Sequence, residues 1–369
     1  MNTFFINDIY DKNNNASYKA KADVIRILKK YFPRIILFDF YRVAIHIGHN
    51  RIVMAVKGRF LLTFNLINFR LFQHKIKDGD AVIVSFPFEY RWFEYFAKFI
   101  YKKLQILKEQ KNVKVIFLLH DLNSIRTPGS SDEDSEIKVL SIGDVIISHN
   151  PTMSDWLVSK GIKKEQLVDF ILWDYLSNTE IDRPRIDVQK GDTKTVVYAG
   201  NLSEWKSSFI YKWNPQYSVF LYGENFESEK MTTNTIEWKG VFDAHAPQVD
   251  TNGICFGLVW DGDSPDGLEG AGKYLKINNP HKTGLYLSLG LPIIVNEEAS
   301  NAGFVKENGI GFTVKSLDEI EDVINNISID VYNRYKENVK KVSSEVRSGY
   351  YVSRAFALAF EKLKISPYN

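Results

Sequence analysis

The feature that most constrains this chain is an alternation that runs through it twice. Short continuous apolar runs are separated by longer stretches whose apolar residues recur at helical spacing. Apolar runs without polar alternation predict strands buried on both faces, and the intervening helices supply the cover, so the pattern predicts parallel sheets in α/β domains. In the first half the predicted strands cover residues 4–6, 35–38, 81–86, 113–119, 145–147 and 167–172. Helices are predicted over 18–32, where Val24, Ile27, Leu28 and Tyr31 share a face, over 89–110, and from Pro151 to a stop at Gly161. A polar stretch over 176–193, containing Pro184, has no apolar period and marks a boundary. The alternation then restarts. Strands are predicted over 195–198, 217–221, 236–240, 254–260, 291–295 and 310–314. Short helices are predicted over 203–213 and over 243–251, the latter interrupted by Pro247, with further helices from Ser316 and a last one over 350–363.

A chain of 369 residues favours two domains. The expected division is 1–178 and 179–347, two Rossmann-like domains facing a cleft, with 348–369 as a helix that crosses back to the first. That is the architecture of GT-B glycosyltransferases. The first loop, over 7–17, lacks GxGxxG, so a dinucleotide fingerprint is absent there.

Composition narrows the class. A net charge of +2 does not suggest a nucleic-acid binder. The one cysteine, Cys255, lies in an apolar run and reads as a small buried hydrophobe rather than a nucleophile. A disulfide framework is excluded and a reducing compartment fits. The first residues show no basic segment ahead of a long apolar core, so no signal peptide is expected. No apolar stretch is long enough to span a bilayer. A cytoplasmic location is expected, and exposed Lys, Arg and aromatic residues leave attachment to the inner face of the membrane open.

In open parallel sheets, ligands sit beyond the carboxyl ends of the strands. The stretch with the most specific chemistry there is 273–295, which reads as loop, helix start, helix, turn and strand. Asn278, Asn279, Pro280, His281, Lys282 and Thr283 crowd the corner where the helix begins. Backbone N–H groups at a helix N-terminus and a lysine beside them suit a diphosphate. The alternative is a capped helix with Lys282 solvated. Gly200-Asn201-Leu202 follows a strand and permits close backbone approach, Lys206 lies on the short helix after it, and Tyr222 ends the next strand, where it either stacks on a base or packs as a wall. Asp261-Gly262-Asp263 has the form of a metal-binding DxD, but it sits in a glycine-rich loop of a two-domain pattern and reads as a mobile loop feeding the corner. In the first half, His120 and Asp121 end a strand and can take a proton from a hydroxyl; the alternative for His120 is a local hydrogen bond. The first loop offers Asn13, Asn14, Asn15, Ser17 and Lys19. The acidic run from Asp132 to Glu136 reads as a helix start.

NNPHKTGLYLSLGLPIIV, VVYAGNLSEWK, FGLVWDGD, LLHDLNSIR and ISHNPTMSDWL together resemble the glucosyltransferase-3-like family, which acts in glycosylation of serine-rich-repeat adhesins and has relatives among bacterial galactofuranosyltransferases. The resemblance spans nearly the whole chain. It implies a GT-B fold, with the acceptor glycan on the N-terminal domain and the UDP-sugar donor on the C-terminal one. It implies donor contacts at Gly200, Asn201, Lys206, Tyr222, Asn278, Pro280, His281, Lys282 and Thr283. On the acceptor side it implies Ser17 and Lys19, with His120 and Asp121 as the catalytic groups. It implies no metal and no cofactor beyond the UDP-sugar co-substrate, and a homodimer or homotetramer. The expected activity is transfer of a hexose, glucose first, from a UDP-sugar to a glycan hydroxyl with inversion. The alternatives are a UDP-galactofuranose-dependent transferase of cell-surface polysaccharide synthesis, a non-catalytic nucleotide-sugar-binding partner protein, and a sugar-nucleotide epimerase.

Overall fold

The computed structural model of the protein describes residues 1–7, 16–39, 51–88, 94–177, 194–251 and 253–366. Asn13, Asn14 and Asn15 lie outside the described residues, as do most of the expected linker and the boundary expected after residue 178.

Twelve strands fall into two sheets among the described residues. The first sheet holds β1 (Thr3–Asn7), β2 (Ile36–Asp39), β3 (Ala81–Phe86), β4 (Lys114–Leu119), β5 (Val145–Ser148) and β6 (Leu167–Asp169), in the order β2-β1-β3-β4-β5-β6. The second holds β7 (Lys194–Ala199), β8 (Ser218–Tyr222), β9 (Ile236–Trp238), β10 (Ile254–Val259), β11 (Ile293–Asn296) and β12 (Gly311–Val314), in the order β12-β11-β10-β7-β8-β9. Every strand pair in both sheets is parallel. The expected two α/β domains are therefore present. Contacts divide the chain into two compact units. One holds Met1–Asn13, Val24–Asp169 and Ser353–Asn369; the other holds Asn14–Asp23 and Phe170–Val352.

The second sheet shows why apolar runs make such strands. Successive residues of β7 and β10 point to opposite faces, and both faces are covered. Val196, Tyr198, Phe256, Leu258 and Trp260 enter one core, while Val197, Ala199, Cys255 and Val259 enter the other. Cys255 is buried, as its apolar run predicts. β10 carries a glycine at 257, where a Cβ would stand 2.2 Å from the Tyr286 ring. In the first unit, Phe356 and Phe360 of the last helix pack on Phe32, with ring centroids 6.5 and 5.2 Å apart.

Three local departures have physical causes. The helix expected over 243–251 is a single turn, closed by Ala246 N–H donating to Asp243 O at 3.0 Å, because Pro247 follows with no N–H to extend it. The strand expected to reach residue 172 ends at Asp169, and Ile171 takes a positive φ of 73° that breaks the extended backbone. A helix over Arg51–Lys75 precedes β3, in a stretch for which no element is expected, because its apolar residues fall on two faces rather than one stripe. The acidic run is a helix start: Asp132 caps Glu133–Leu140 by accepting from Ser135 N–H at 2.9 Å. Glu136 turns inward to accept from Ser124 N–H and Ser131 Oγ.

Candidate functional site

The second sheet reverses its strand order between β7 and β10, and the crevice beyond their carboxyl ends is where this architecture places ligands. Two lysines meet one carboxylate there. Asp261, two residues past β10, is buried. Its Oδ1 accepts from Lys282 Nζ at 2.7 Å and from the Tyr198 hydroxyl at 3.1 Å. Lys206 Nζ stands 3.9 Å from its Oδ2. Lys282 Nζ also donates to Trp260 O at 2.7 Å and to Tyr198 OH at 3.2 Å, and lies 4.3 Å from the centre of the Tyr198 ring. Tyr198 is fixed in turn by Ser207 Oγ at 2.6 Å, and Ser207 donates to Asn201 O at 2.8 Å.

The charges set this centre's character. Burial alone would raise the Asp261 carboxyl, but Lys206 and Lys282 outweigh it and hold the group below the usual carboxylate range. Burial pulls the Lys282 ammonium below an ordinary lysine, against the pull of Asp261. Two cations around one anion leave one positive charge in excess. The Lys282 side chain is 8% exposed and the Lys206 side chain 25% exposed, so Lys206 presents the accessible share of that charge. The helix His281–Ser288 starts at the same place, with Pro280 in the N-cap position, and its dipole adds to the positive potential.

The other expected donor contacts are placed as follows. Gly200 follows β7, and its N–H donates to Tyr222 O at 2.9 Å. Gly223 packs on the Gly200 carbonyl so closely that a Cβ would lie 1.7 Å from its oxygen, at a φ of 144° that favours glycine. Asn201 Oδ1 accepts from Ser203 N–H and Asn225 Nδ2, each at 3.0 Å. Tyr222 is a wall residue: it is buried, and its hydroxyl accepts from Asp250 N–H at 2.8 Å. Asn278 Oδ1 is buried with no hydrogen-bond partner. Asn279 is buried and donates to Ile171 O at 2.7 Å. Thr283 Oγ1 accepts from Asn301 Nδ2 at 3.1 Å inside the core.

His281 turns away from this centre. Its ring lies 4.9 Å from that of Tyr175, and burial, with the Lys19 charge beside it, lowers its pKa to about 3. Lys19 belongs to the same cluster. It forms a buried ion pair with Asp23, donates to Leu176 O at 2.8 Å, and lies 4.4 Å over the Tyr175 ring. Its side chain has no exposed surface, which removes it from the face an acceptor would touch. Ser17 sits in the first turn of the helix Ala16–Tyr31.

In the first unit, His120 follows β4. Its N–H donates to Phe86 O at 2.7 Å, and its Nε2 lies 3.2 Å from Ser85 Oγ at the end of β3. The Asp121 carboxylate takes Arg126 at 2.6 Å. His149, after β5, is buried with Nε2 at 3.2 Å from Leu119 O, and desolvation lowers its pKa to about 3. Asn150 caps the helix Pro151–Ser159 through Met153 N–H at 2.9 Å.

Sequence reasoning did not foresee Tyr198 or Ser207 at the centre, nor Asp261 as a partner for lysines. The available signal was positional: Asp261 and Gly200 each follow one of the two strands that flank the order reversal. The loop expected to be mobile is tied down instead, with Gly262 N–H donating to Lys206 O at 2.7 Å and Leu317 N–H to Pro265 O at 2.8 Å. Among the described residues, no group of three or more His, Cys, Asp or Glu side chains is arranged to hold a metal ion.

Residues 3–170 match the glucosyltransferase 3-like N-terminal domain, and residues 196–359 match the glucosyltransferase 3-like C-terminal domain. The β-1,6-galactofuranosyltransferase WbbI of Escherichia coli (strain K12) is 32% identical over 98% of this chain and 99% of its own. Glucosyltransferase 3 of Streptococcus gordonii is 25% identical over 74% of this chain and 77% of its own. The crystal structure of Anabaena HepE in complex with UDP-glucose superimposes with a TM-score of 0.55 at 13% identity, covering 99% of both chains, and the shared fold is GT-B. With both of its halves matched and a whole-length relative at this identity, the chain belongs to the glucosyltransferase 3-like family.

Proposed function

We propose that this protein is a UDP-sugar-dependent glycosyltransferase that moves a hexose to a hydroxyl of a glycan acceptor. The observation that carries the reading is the two-lysine, one-carboxylate centre at the strand-order reversal, joined to a helix N-terminus. A diphosphate is the ligand such a site suits, because it brings more negative charge than one excess cation and meets a dipole of the right sign. The donor binds the C-terminal domain, expected over 179–347, and the acceptor the N-terminal domain, expected over 1–178, with 348–369 crossing back to it. Lys206 and the helix amides receive the diphosphate, and Lys282 stabilises it as it leaves, so that no metal is needed.

The acceptor oxygen attacks the anomeric carbon as the bond from that carbon to the UDP oxygen breaks. UDP leaves with the electron pair, and the hydroxyl proton passes to His120 or Asp121. Attack from the face opposite UDP gives inversion. Glucose is the sugar expected from the sequence. The whole-length likeness to a galactofuranosyltransferase favours galactofuranose as a second reading. The protein works in the cytoplasm at the inner face of the membrane, as a homodimer or homotetramer; no helix among the described residues is long and apolar enough to cross a membrane.

A panel of UDP-glucose, UDP-galactose and UDP-galactofuranose, each with and without glycan acceptors, tests the reading by UDP release. Release that requires one donor and an acceptor supports it. Binding of UDP without turnover in any combination overturns it in favour of a non-catalytic partner protein, and sugar conversion without acceptor identifies an epimerase.

A further inference from the structure

The helix Arg51–Lys75 carries two apolar stripes, one buried in the fold and one largely exposed. Phe69 and Phe72 are buried with Ile76 just beyond the helix, and they pack on Phe4, Phe38 and Phe99; the Phe38 and Phe72 rings stack with centroids 4.1 Å apart. The second stripe faces solvent. Phe60 is 75% exposed, Phe64 41%, Ile67 52% and Leu71 61%. Their spacing of four, three and four places them within about 60° of one another around the axis, at 100° per residue. They run for roughly 16 Å along it, at 1.5 Å per residue. Four large apolar side chains in one row are not the scattered exposure normal for a protein surface.

The charges around the row select what covers it. Arg59, Arg70, His74 and Lys75 are exposed beside it. From Arg51 to Lys75 the helix contains no Asp or Glu, although a stretch of that length at the chain's average would hold about three. A second copy of the same face would set cation against cation. A surface that is apolar within and negatively charged at its rim meets both properties at once. The apolar row enters the acyl boundary, while the arginine and lysine stems lie along it with their charged ends at the headgroups.

We infer that the Arg51–Lys75 helix is a docking surface for an anionic lipid membrane, lying in its plane. This rests on the membrane-peripheral reading above, and it supplies the element that would make the contact. It also fits an enzyme whose glycan acceptor is presented at a membrane.

Vesicle flotation of the full chain without nucleotide separates this inference from the transfer reaction, since its failure leaves donor turnover untouched. Vesicles of phosphatidylcholine alone are compared with vesicles containing about three parts in ten of phosphatidylglycerol. The wild type is expected to partition at least ~10-fold more strongly onto the anionic vesicles, and added salt is expected to weaken it. F60N/L71N is expected to lose ~10-fold or more of that binding with an unchanged melting temperature, because both side chains are already in water. R59Q/R70Q tests the charge separately and is expected to remove the preference for anionic lipid. No binding by the wild type, or binding by both double variants equal to that of the wild type, overturns the inference. Dimers in sedimentation velocity that dissociate in F60N/L71N also overturn it, and assign the row to self-association.

Discussion

Lys282 Nζ lies 2.7 Å from Asp261 Oδ1 in a space that admits almost no solvent, and both residues come from the connection between β10 and β11, on one side of the order reversal. Asp261 follows β10, and Lys282 comes from the helix that leads to β11. A buried ion pair of this kind costs desolvation on both sides and recovers it only with good geometry and extra hydrogen bonds. Trp260 O and the Tyr198 hydroxyl provide those bonds. The pair therefore places a cation at one point with little freedom, which is the property a leaving-group stabiliser needs.

Replacing Lys282 by Ala is expected to lower UDP release with the true donor by ~100-fold or more. Lys206→Ala is expected to raise the donor KM with a smaller fall in kcat, because its ammonium is partly solvated and only loosely paired. Steady-state kinetics on both variants tests the division of labour. Unchanged turnover in Lys282→Ala would remove it from the chemistry. Urea unfolding should show the complementary asymmetry, with a loss of about 3–5 kcal/mol for Lys282→Ala, where Asp261 is left buried, and little for Lys206→Ala.

Gly257→Ala is expected to destabilise the second unit by about 1–3 kcal/mol, because the added methyl would stand 2.2 Å from the Tyr286 ring. Tyr286 cannot yield without cost, since its hydroxyl accepts from Ala199 N–H at 2.7 Å. Chemical denaturation gives the stability, and a weaker UDP affinity would show that the shift reaches the site one residue beyond Ala199. A variant as stable as the wild type would mean the ring is not held where it lies.

His120→Ala is expected to reduce transfer to an acceptor by ~100-fold or more while leaving UDP affinity within a factor of two or so of the wild type. The measurement pairs a transfer assay with calorimetric UDP binding. Full transfer by the variant would return His120 to the alternative of a local hydrogen bond with Ser85.

His149 and His281 are buried neutral, each with a pKa lowered from 6.5 to about 3. The unfolded chain therefore binds more protons than the folded one between those values, and stability falls as pH drops through that window. Each histidine contributes a slope of up to about 1.4 kcal/mol per pH unit. Denaturation midpoints measured from pH 7 to pH 4 should show the fall, and His281→Gln should flatten it. A midpoint independent of pH across that range would contradict the burial of both rings.

The repeated strand and helix alternation was legible because buried parallel strands are apolar throughout, and β3, β4 and β10 read that way from their residues alone. The loop-to-helix corner was legible from its turn chemistry, although the helix expected from Thr283 starts two residues earlier, at His281. The Arg51–Lys75 helix was not, because apolar residues on two faces erase the single stripe on which periodicity depends. Asp261 reads from sequence as part of a mobile loop, since a sequence shows the carboxylate without the lysines 55 residues before and 21 residues after it that neutralise it. The acceptor role of Lys19 is what the family resemblance implies; nothing in its neighbours announces the pairing with Asp23 one turn later.

The strand order of the second sheet has a consequence for how such proteins diversify. Tyr198, Lys206, Ser207, Asp261 and Lys282 all belong to the unit that contains Phe170–Val352. On the proposed reading, electrostatic recognition of the diphosphate is thus self-contained in one inheritable block. If the other unit receives the acceptor as proposed, substitutions there can explore new acceptors without disturbing it, so relatives that differ in the glycan they extend can share one nucleotide grip.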